Sequence, residues 1–124
     1  MRKQRKESVM DKAMDHIRSQ AKKKVNAAEK ELAKEMNGWQ VPNSGSIDEY
    51  KGDVSTDQLL IDLKTTEMKS ITVTLEMLAK ISREAREAGR DPALVLQFFN
   101  NESNLVSDKW VVVPLDDYLE MTYE

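Results

Sequence analysis

The sequence predicts an α/β protein, in which a mixed β-sheet is flanked by helices and preceded by a long N-terminal helix. Apolar residues recur at steps of three or four from Met10 to Met36, which is the period of an amphipathic helix. The rest of the chain alternates short apolar runs with two more helical stripes. The expected order is therefore helix, three strands, helix, two strands, helix, which is typical of a mixed sheet covered by helices.

The first helix is predicted from the unbroken stretch Ser8–Asn37, which contains neither proline nor glycine. We expect Gly38 to end it as a C-cap, and a break near residues 22–24 is the alternative. The other expected elements, in chain order, are an edge strand at Trp39–Pro42, a hairpin within 53–66, a helix that begins after Thr74 and ends before Gly89, strands at Leu94–Phe99 and Trp110–Val113, and a short helix at Leu115–Met121.

The hairpin holds the residues that point to chemistry. On a β-strand, residues two apart face the same way, so Asp62 and Lys64 share a face with Leu60. The spacing from Asp53 to Asp62 suits a hairpin that turns through residues 55–57 and sets the two aspartates side by side. Two carboxylates and an ammonium group would then converge at one end of a small sheet.

Clustered carboxylates repel one another, so such a cluster usually requires a cation. Carboxylate oxygens are hard ligands that suit Mg²⁺ or Mn²⁺. The ammonium group of Lys64 would supply a compact positive charge for a phosphate beside that metal. The chemistry that these residues predict is metal-dependent hydrolysis of a phosphodiester.

Charge is distributed unevenly along the 124 residues, which are enough for one domain. The net charge is −3, but residues 1–24 carry a balance of +6 and residues 25–124 one of −9. A basic arm on an acidic body is expected where one end of a protein meets phosphate, although a solvated tail gives the same pattern. The absence of cysteine, of a signal peptide and of a membrane span favours the cytoplasm.

The series Asp53…Asp62-x-Lys64 resembles the active-site signature of the PD-(D/E)XK nucleases. With the upstream Ser44-Gly45 element and the downstream stretch 92–98, it is most similar to the Holliday-junction resolvases of archaea and phages. The similarity covers roughly residues 29–99. Gly52 stands where the family usually has proline, and Asp62 where glutamate is commoner. The resemblance implies a restriction-endonuclease-like fold, with 1–24 as a basic helical arm and 25–124 as the nuclease domain.

The resemblance also implies roles for individual residues. Asp53 and Asp62 would bind Mg²⁺, for which Mn²⁺ can substitute. Glu29 on the first helix would complete the site by holding a second ion or a water, unless it is only a surface residue at the edge of the apolar stripe. Lys64 would orient the attacking water or neutralise charge on the phosphate. The number of metal ions stays open.

Branched double-stranded DNA is the expected substrate, cut by a homodimer because a four-way junction requires two opposed active sites. A nickase, another structure-specific nuclease, or a module that binds DNA without cutting are the alternatives. Residues expected to contact DNA are Ser44 and Lys51 near the site, and on the basic arm Arg2, Lys3, Arg5, Lys6, Lys22, Lys23 and Lys24.

Overall fold

The computed structural model of the protein describes residues 8–42, 52–99 and 108–122. Within these ranges the elements are α1 (Val9–Glu35), β1 (Trp39–Gln40), β2 (Val54–Ser55), β3 (Leu59–Thr66), α2 (Leu75–Glu87), β4 (Asp91–Phe98), β5 (Lys109–Val112) and α3 (Leu115–Thr122). The predicted order of helices and strands is confirmed, and so are the α/β class and the long N-terminal helix.

The five strands form one mixed sheet in the order β1-β2-β3-β4-β5. Strand β3 is antiparallel to β2 and parallel to β4, while β1 and β5 pair antiparallel at the two edges. A parallel pair requires a crossover connection, and α2 supplies it between β3 and β4. The hairpin that carries the candidate chemistry is therefore attached to the centre of the sheet by β3.

Alternation along β3 distributes its apolar residues between the two faces of the sheet. Ile61 and Leu63 pack in one buried cluster with Leu32 of α1, whereas Leu60 packs in another with Ile81 of α2. Burial of these side chains is the main favourable term that holds both helices on the sheet. The predicted alternation is confirmed, so Asp62 and Lys64 lie on the strand positions that share the α2 side with Leu60.

Helix α1 begins at a capping box and continues through the lysine-rich stretch without a break. The Ser8 side chain accepts the N–H of Asp11 at 3.0 Å, and the Asp11 carboxylate accepts the N–H of Ser8 at 3.2 Å. The boundary expected between arm and domain at residues 24 and 25 lies inside this continuous helix.

The expectation that Gly38 caps α1 is wrong. Met36 is the C-cap, and Asn37 adopts the left-handed conformation with φ 54°. Asparagine tolerates this conformation because its short polar side chain can form local hydrogen bonds. Gly38 has a different role, because a Cβ atom at this position would overlap the backbone carbonyl oxygen of Ser55. The close approach between the end of α1 and β2 therefore requires glycine.

The remaining helices differ in how firmly they are packed. Thr74 caps α2 as predicted and accepts the N–H of Met77 at 3.2 Å, while Gly89 follows the helix with φ 69°. By contrast α3 has no buried residue, and its apolar side chains Leu115, Tyr118 and Leu119 are exposed. No helix in the described part of the chain is long and apolar enough to span a bilayer.

Candidate metal centre

The backbone bulges at Asp53, immediately before β2. Val54 pairs with Ile61 in the antiparallel register, and the N–H of Asp53 also donates to the carbonyl of Ile61, at 2.7 Å. Two consecutive residues thus face one residue of the partner strand, which is the definition of a β-bulge. Bulges redirect side chains and are frequent beside active sites. At Asp53 the bulge turns the carboxyl group toward β3.

The Asp53 carboxylate accepts a backbone hydrogen bond from β3 that a further residue of β2 would otherwise accept. Its Oδ2 accepts the backbone N–H of Leu63 at 2.7 Å, beyond the point where the β2 pairing with β3 stops. Leu63 directly follows Asp62 on β3, and the Asp62 carboxyl group is near enough to add to burial in raising the pKa of Asp53. The hairpin therefore brings the two predicted carboxylates together.

The energetic cost of this pair appears in the pKa of Asp53. Burial, the nearby Asp62 carboxyl group and the charge of Glu29 raise the pKa of Asp53 to about 7, although the hydrogen bond from Leu63 acts in the opposite direction. A carboxyl group whose ionised form is disfavoured by burial and by a neighbouring carboxylate either keeps its proton or is neutralised by a cation. The Asp53–Asp62 pair is thus chemically suited to a hard divalent ion.

Lys64 lies on the other side of Asp62. Its Nζ is 3.3 Å from Asp62 Oδ2, and its side chain remains 39% exposed, so the ammonium group can still meet a substrate. Asp62 therefore links the half-buried Asp53 to a partly exposed cation. An ammonium group next to a carboxylate pair can neutralise the charge of a phosphate that approaches the same point.

Glu29 of α1 is the third predicted ligand and is half-buried. Burial and the charge of Asp62 raise its pKa, while a hydrogen bond from Gln40 lowers it. Glu29 is therefore within electrostatic range of both aspartates, but its own hydrogen bond goes to Gln40 Nε2 at 3.3 Å. Across residues 8–42, 52–99 and 108–122, no three acidic or histidine side chains are arranged to hold a metal ion.

The predicted DNA contacts divide into three groups. Exposed on α1 are Lys22 and Lys23. Lys24 instead forms an ion pair with Glu67, and its Nζ lies 4.6 Å from the centre of the Phe99 ring. Its ammonium group therefore helps to hold α1 against the end of the sheet. Outside the described residues are Arg2, Lys3, Arg5, Lys6, Ser44 and Lys51.

Sequence reasoning missed two polar residues at this site, Gln40 and Asn26. The amide Nε2 of Gln40 donates to Asn26 Oδ1 at 3.0 Å as well as to Glu29. The spacing of Asn26 and Glu29 by one helical turn was the available signal, because residues three apart on a helix lie on the same face. Nothing local in the sequence indicates that Gln40 meets that face.

No protein-family model matches this chain, and no curated protein matches its sequence. A functional assignment therefore depends on the residues of the site and their arrangement.

Proposed function

We propose that this protein is a metal-dependent DNA endonuclease of the PD-(D/E)XK type, and specifically a Holliday-junction resolvase that hydrolyses phosphodiester bonds in branched DNA. The observation that carries the proposal is the arrangement of Asp53, Asp62 and Lys64 on the hairpin. Asp53 Oδ2 accepts the N–H of Leu63, the residue after Asp62, at 2.7 Å, and Lys64 Nζ lies 3.3 Å from Asp62 Oδ2. Carboxylates forced together beside an amine are suited to a divalent cation and a phosphate. The order of helices and strands supports a restriction-endonuclease-like fold.

Each residue has a distinct part in this proposal. Asp53 and Asp62 would hold Mg²⁺ or Mn²⁺, and Glu29 would hold a second ion or a water. The cation supplies Lewis-acid chemistry, which lowers the pKa of a water and stabilises charge on the leaving oxygen. Lys64 would orient the water or stabilise negative charge on the phosphate. The absence of cysteine is consistent with action in the cytoplasm.

Exposed cations on α1 supply the second half of the proposal, which is binding to DNA. Lys22 and Lys23 are exposed on the same helix that carries Glu29. Contacts between lysine and phosphate dominate non-specific affinity for DNA because they release counterions. Binding through α1 would therefore bring a DNA backbone toward Glu29, which lies about two turns further along the same helix than Lys22 and Lys23.

A cleavage assay in Mg²⁺ tests the proposal with three substrates of equal length: a four-way junction, a Y-shaped DNA and a linear duplex. The matched control is Asp62→Asn, which keeps the shape of the side chain but removes its charge. We expect paired cuts in the four-way junction, slower cleavage of the other two, and no cleavage by the variant. Equal cleavage of the Y-shaped DNA would indicate a different structure-specific nuclease. Binding of the junction without any cleavage would indicate a binding module.

A further inference from the structure

Gln40 occupies a position from which one side chain serves two acceptors on α1. It lies on the two-residue strand β1, and its Nε2 donates to Asn26 Oδ1 at 3.0 Å and to Glu29 Oε2 at 3.3 Å. Asn26 and Glu29 are one helical turn apart, so both face β1. The amide of Gln40 is therefore held by Asn26 in an orientation that directs its second N–H to the Glu29 carboxylate.

The strand that carries Gln40 also fixes the backbone of Asp53. The N–H of Val41, the next residue, donates to the carbonyl oxygen of Asp53 at 3.0 Å. Gln40 thus binds the Glu29 carboxylate, and its neighbour Val41 binds the Asp53 backbone. The relative position of these two candidate ligands is set by the segment 40–41, although they come from different elements.

The chemistry of the donor matters as much as its position. A lysine or arginine at position 40 would form an ion pair with Glu29 and cancel the charge that attracts a cation. The neutral amide of Gln40 fixes the carboxylate through a hydrogen bond and adds no positive charge that would compete with a cation. The bond from Gln40 engages Oε2 of Glu29, and the other carboxylate oxygen accepts no hydrogen bond from residues 8–42, 52–99 or 108–122.

We propose that Gln40, held by Asn26, is the positioning residue that keeps the Glu29 carboxylate beside the Asp53–Asp62 pair, where Glu29 would hold a second ion or a water of the bound cation. This inference rests on the metal centre of the proposed function. Residues that orient metal ligands in this way typically affect metal affinity by about 10–100-fold when they are replaced. Gln40 itself need not contact the metal or the DNA.

Binding of Mn²⁺ to the metal-free protein, followed by the electron paramagnetic resonance signal of free Mn²⁺, tests the inference without DNA. The variants are Gln40→Leu, Glu29→Gln and the double variant. The matched control is Gln58→Leu, which makes the same change at an exposed glutamine in the hairpin turn. Junction cleavage under single-turnover conditions and thermal unfolding are measured on the same samples, so that loss of folding is detected separately.

We expect Gln40→Leu to weaken Mn²⁺ binding by about 10-fold or more, while Gln58→Leu leaves it unchanged. The double variant should bind Mn²⁺ no more weakly than Glu29→Gln alone, because the effect of Gln40 passes through Glu29. An equal loss from Gln40→Leu in both backgrounds, or no loss in either, would overturn the inference.

The two proposals fail in distinguishable ways. A wild-type protein that binds Mn²⁺ and cuts junctions, but is indifferent to Gln40→Leu, overturns the positioning role alone. A wild-type protein whose Mn²⁺ binding depends on Gln40 through Glu29, and which cuts no DNA, supports the positioning role and overturns the proposed nuclease. Absence of both binding and cleavage overturns the two together.

Discussion

Asp53 and Leu63 are joined across the hairpin by a hydrogen bond of 2.7 Å from the backbone N–H of Leu63 to Asp53 Oδ2. One carboxylate thus completes the edge of β3 and forms half of the candidate metal centre. Its two tasks can be separated experimentally, because asparagine can still accept the Leu63 N–H through its amide oxygen but carries no charge.

The first prediction concerns stability as a function of pH in the absence of divalent ions. The pKa of Asp53 is raised from 3.8 to about 7, so between these values the folded protein binds a proton that the unfolded chain has lost. The free energy of unfolding should therefore fall as pH rises through this window and level off above pH 7. That pKa difference corresponds to at most about 4 kcal/mol, and solvent screening at this partly exposed site reduces the expected effect to roughly 1–2 kcal/mol.

Asp53→Asn is the matched variant for this measurement. It should be more stable than wild type at pH 8 by roughly 1–2 kcal/mol and nearly equal at pH 4, as measured by urea unfolding. Added Mg²⁺ at pH 8 should stabilise the wild type but not the variant, because the cation replaces the missing proton. A variant that is less stable than wild type at every pH would show that the ionised carboxylate is favourable in the fold.

The second prediction separates Lys64 from the metal ligands. Lys64→Ala removes a partly exposed partner of Asp62, so the free energy of unfolding should change by less than about 1 kcal/mol. Cleavage should fall by about 10²-fold or more, since a charge that acts on the transition state is removed. Mn²⁺ binding should persist. Lys34→Ala, at an exposed position of α1, is the control. Cleavage at the wild-type rate by Lys64→Ala would remove this residue from the mechanism.

The third prediction concerns the exposed lysines of α1. Replacing Lys22 and Lys23 together by glutamine should weaken junction binding and reduce the slope of affinity against salt by about 1 for each phosphate that the protein then leaves unpaired. The control replaces Lys30 and Lys34, which are exposed on the same helix and change the net charge equally. Fluorescence anisotropy over a range of salt concentrations measures both. Identical slopes for the two double variants would show that only net charge matters.

The fourth prediction is that the protein is a two-fold symmetric dimer. Met10, Met14 and Ile17 are exposed on α1, and Trp110 and Tyr118 are exposed near the other end of the described chain. Apolar patches of this kind mark contacts between proteins. Sedimentation at micromolar concentration should give about twice the chain mass of 14.2 kDa.

Met14→Glu combined with Ile17→Glu should dissociate the dimer and abolish paired cuts, while single nicks persist. Val9→Glu with Met10→Glu, at the start of the same helix, tests how far the contact extends. A wild-type monomer that still makes paired cuts, at protein concentrations far below that of the junction, would contradict the prediction.

Features that depend on local patterns could be predicted from the sequence. Hydrophobic periodicity locates the helices, and the spacing of Asp53 and Asp62 in the sequence predicts the hairpin that sets the two aspartates near each other. The bulge at Asp53 could not be predicted, because a bulge is specified by the pairing of two strands and leaves no period in either. The role of Gly38 could not be predicted for a similar reason. Glycine is required there because the backbone carbonyl oxygen of Ser55, which is distant in the sequence, leaves no room for a Cβ atom.

Polar contacts between distant segments could not be predicted from the sequence either. Lys24 looks like one more member of a basic run, yet it pairs with Glu67 and covers Phe99. Gln40 belongs to no pattern, because a lone glutamine beside a tryptophan has no period and no motif. The contacts of both residues form only when segments that are distant in the sequence come together, and burial of apolar residues elsewhere in the fold drives that step.

The unbroken course of α1 has a consequence for where the proposed nuclease would cut DNA. Lys22 and Glu29 lie on one rigid rod, and seven residues at 1.5 Å each set them about 10 Å apart along its axis. In the proposed nuclease, this rod would fix the distance between a phosphate bound by Lys22 and the phosphate that is cleaved. With a flexible arm, the position of the cleaved phosphodiester would vary along the DNA strand. One residue inserted into α1 between Lys22 and Glu29 would rotate Lys22 by about 100° about the helix axis, away from the site.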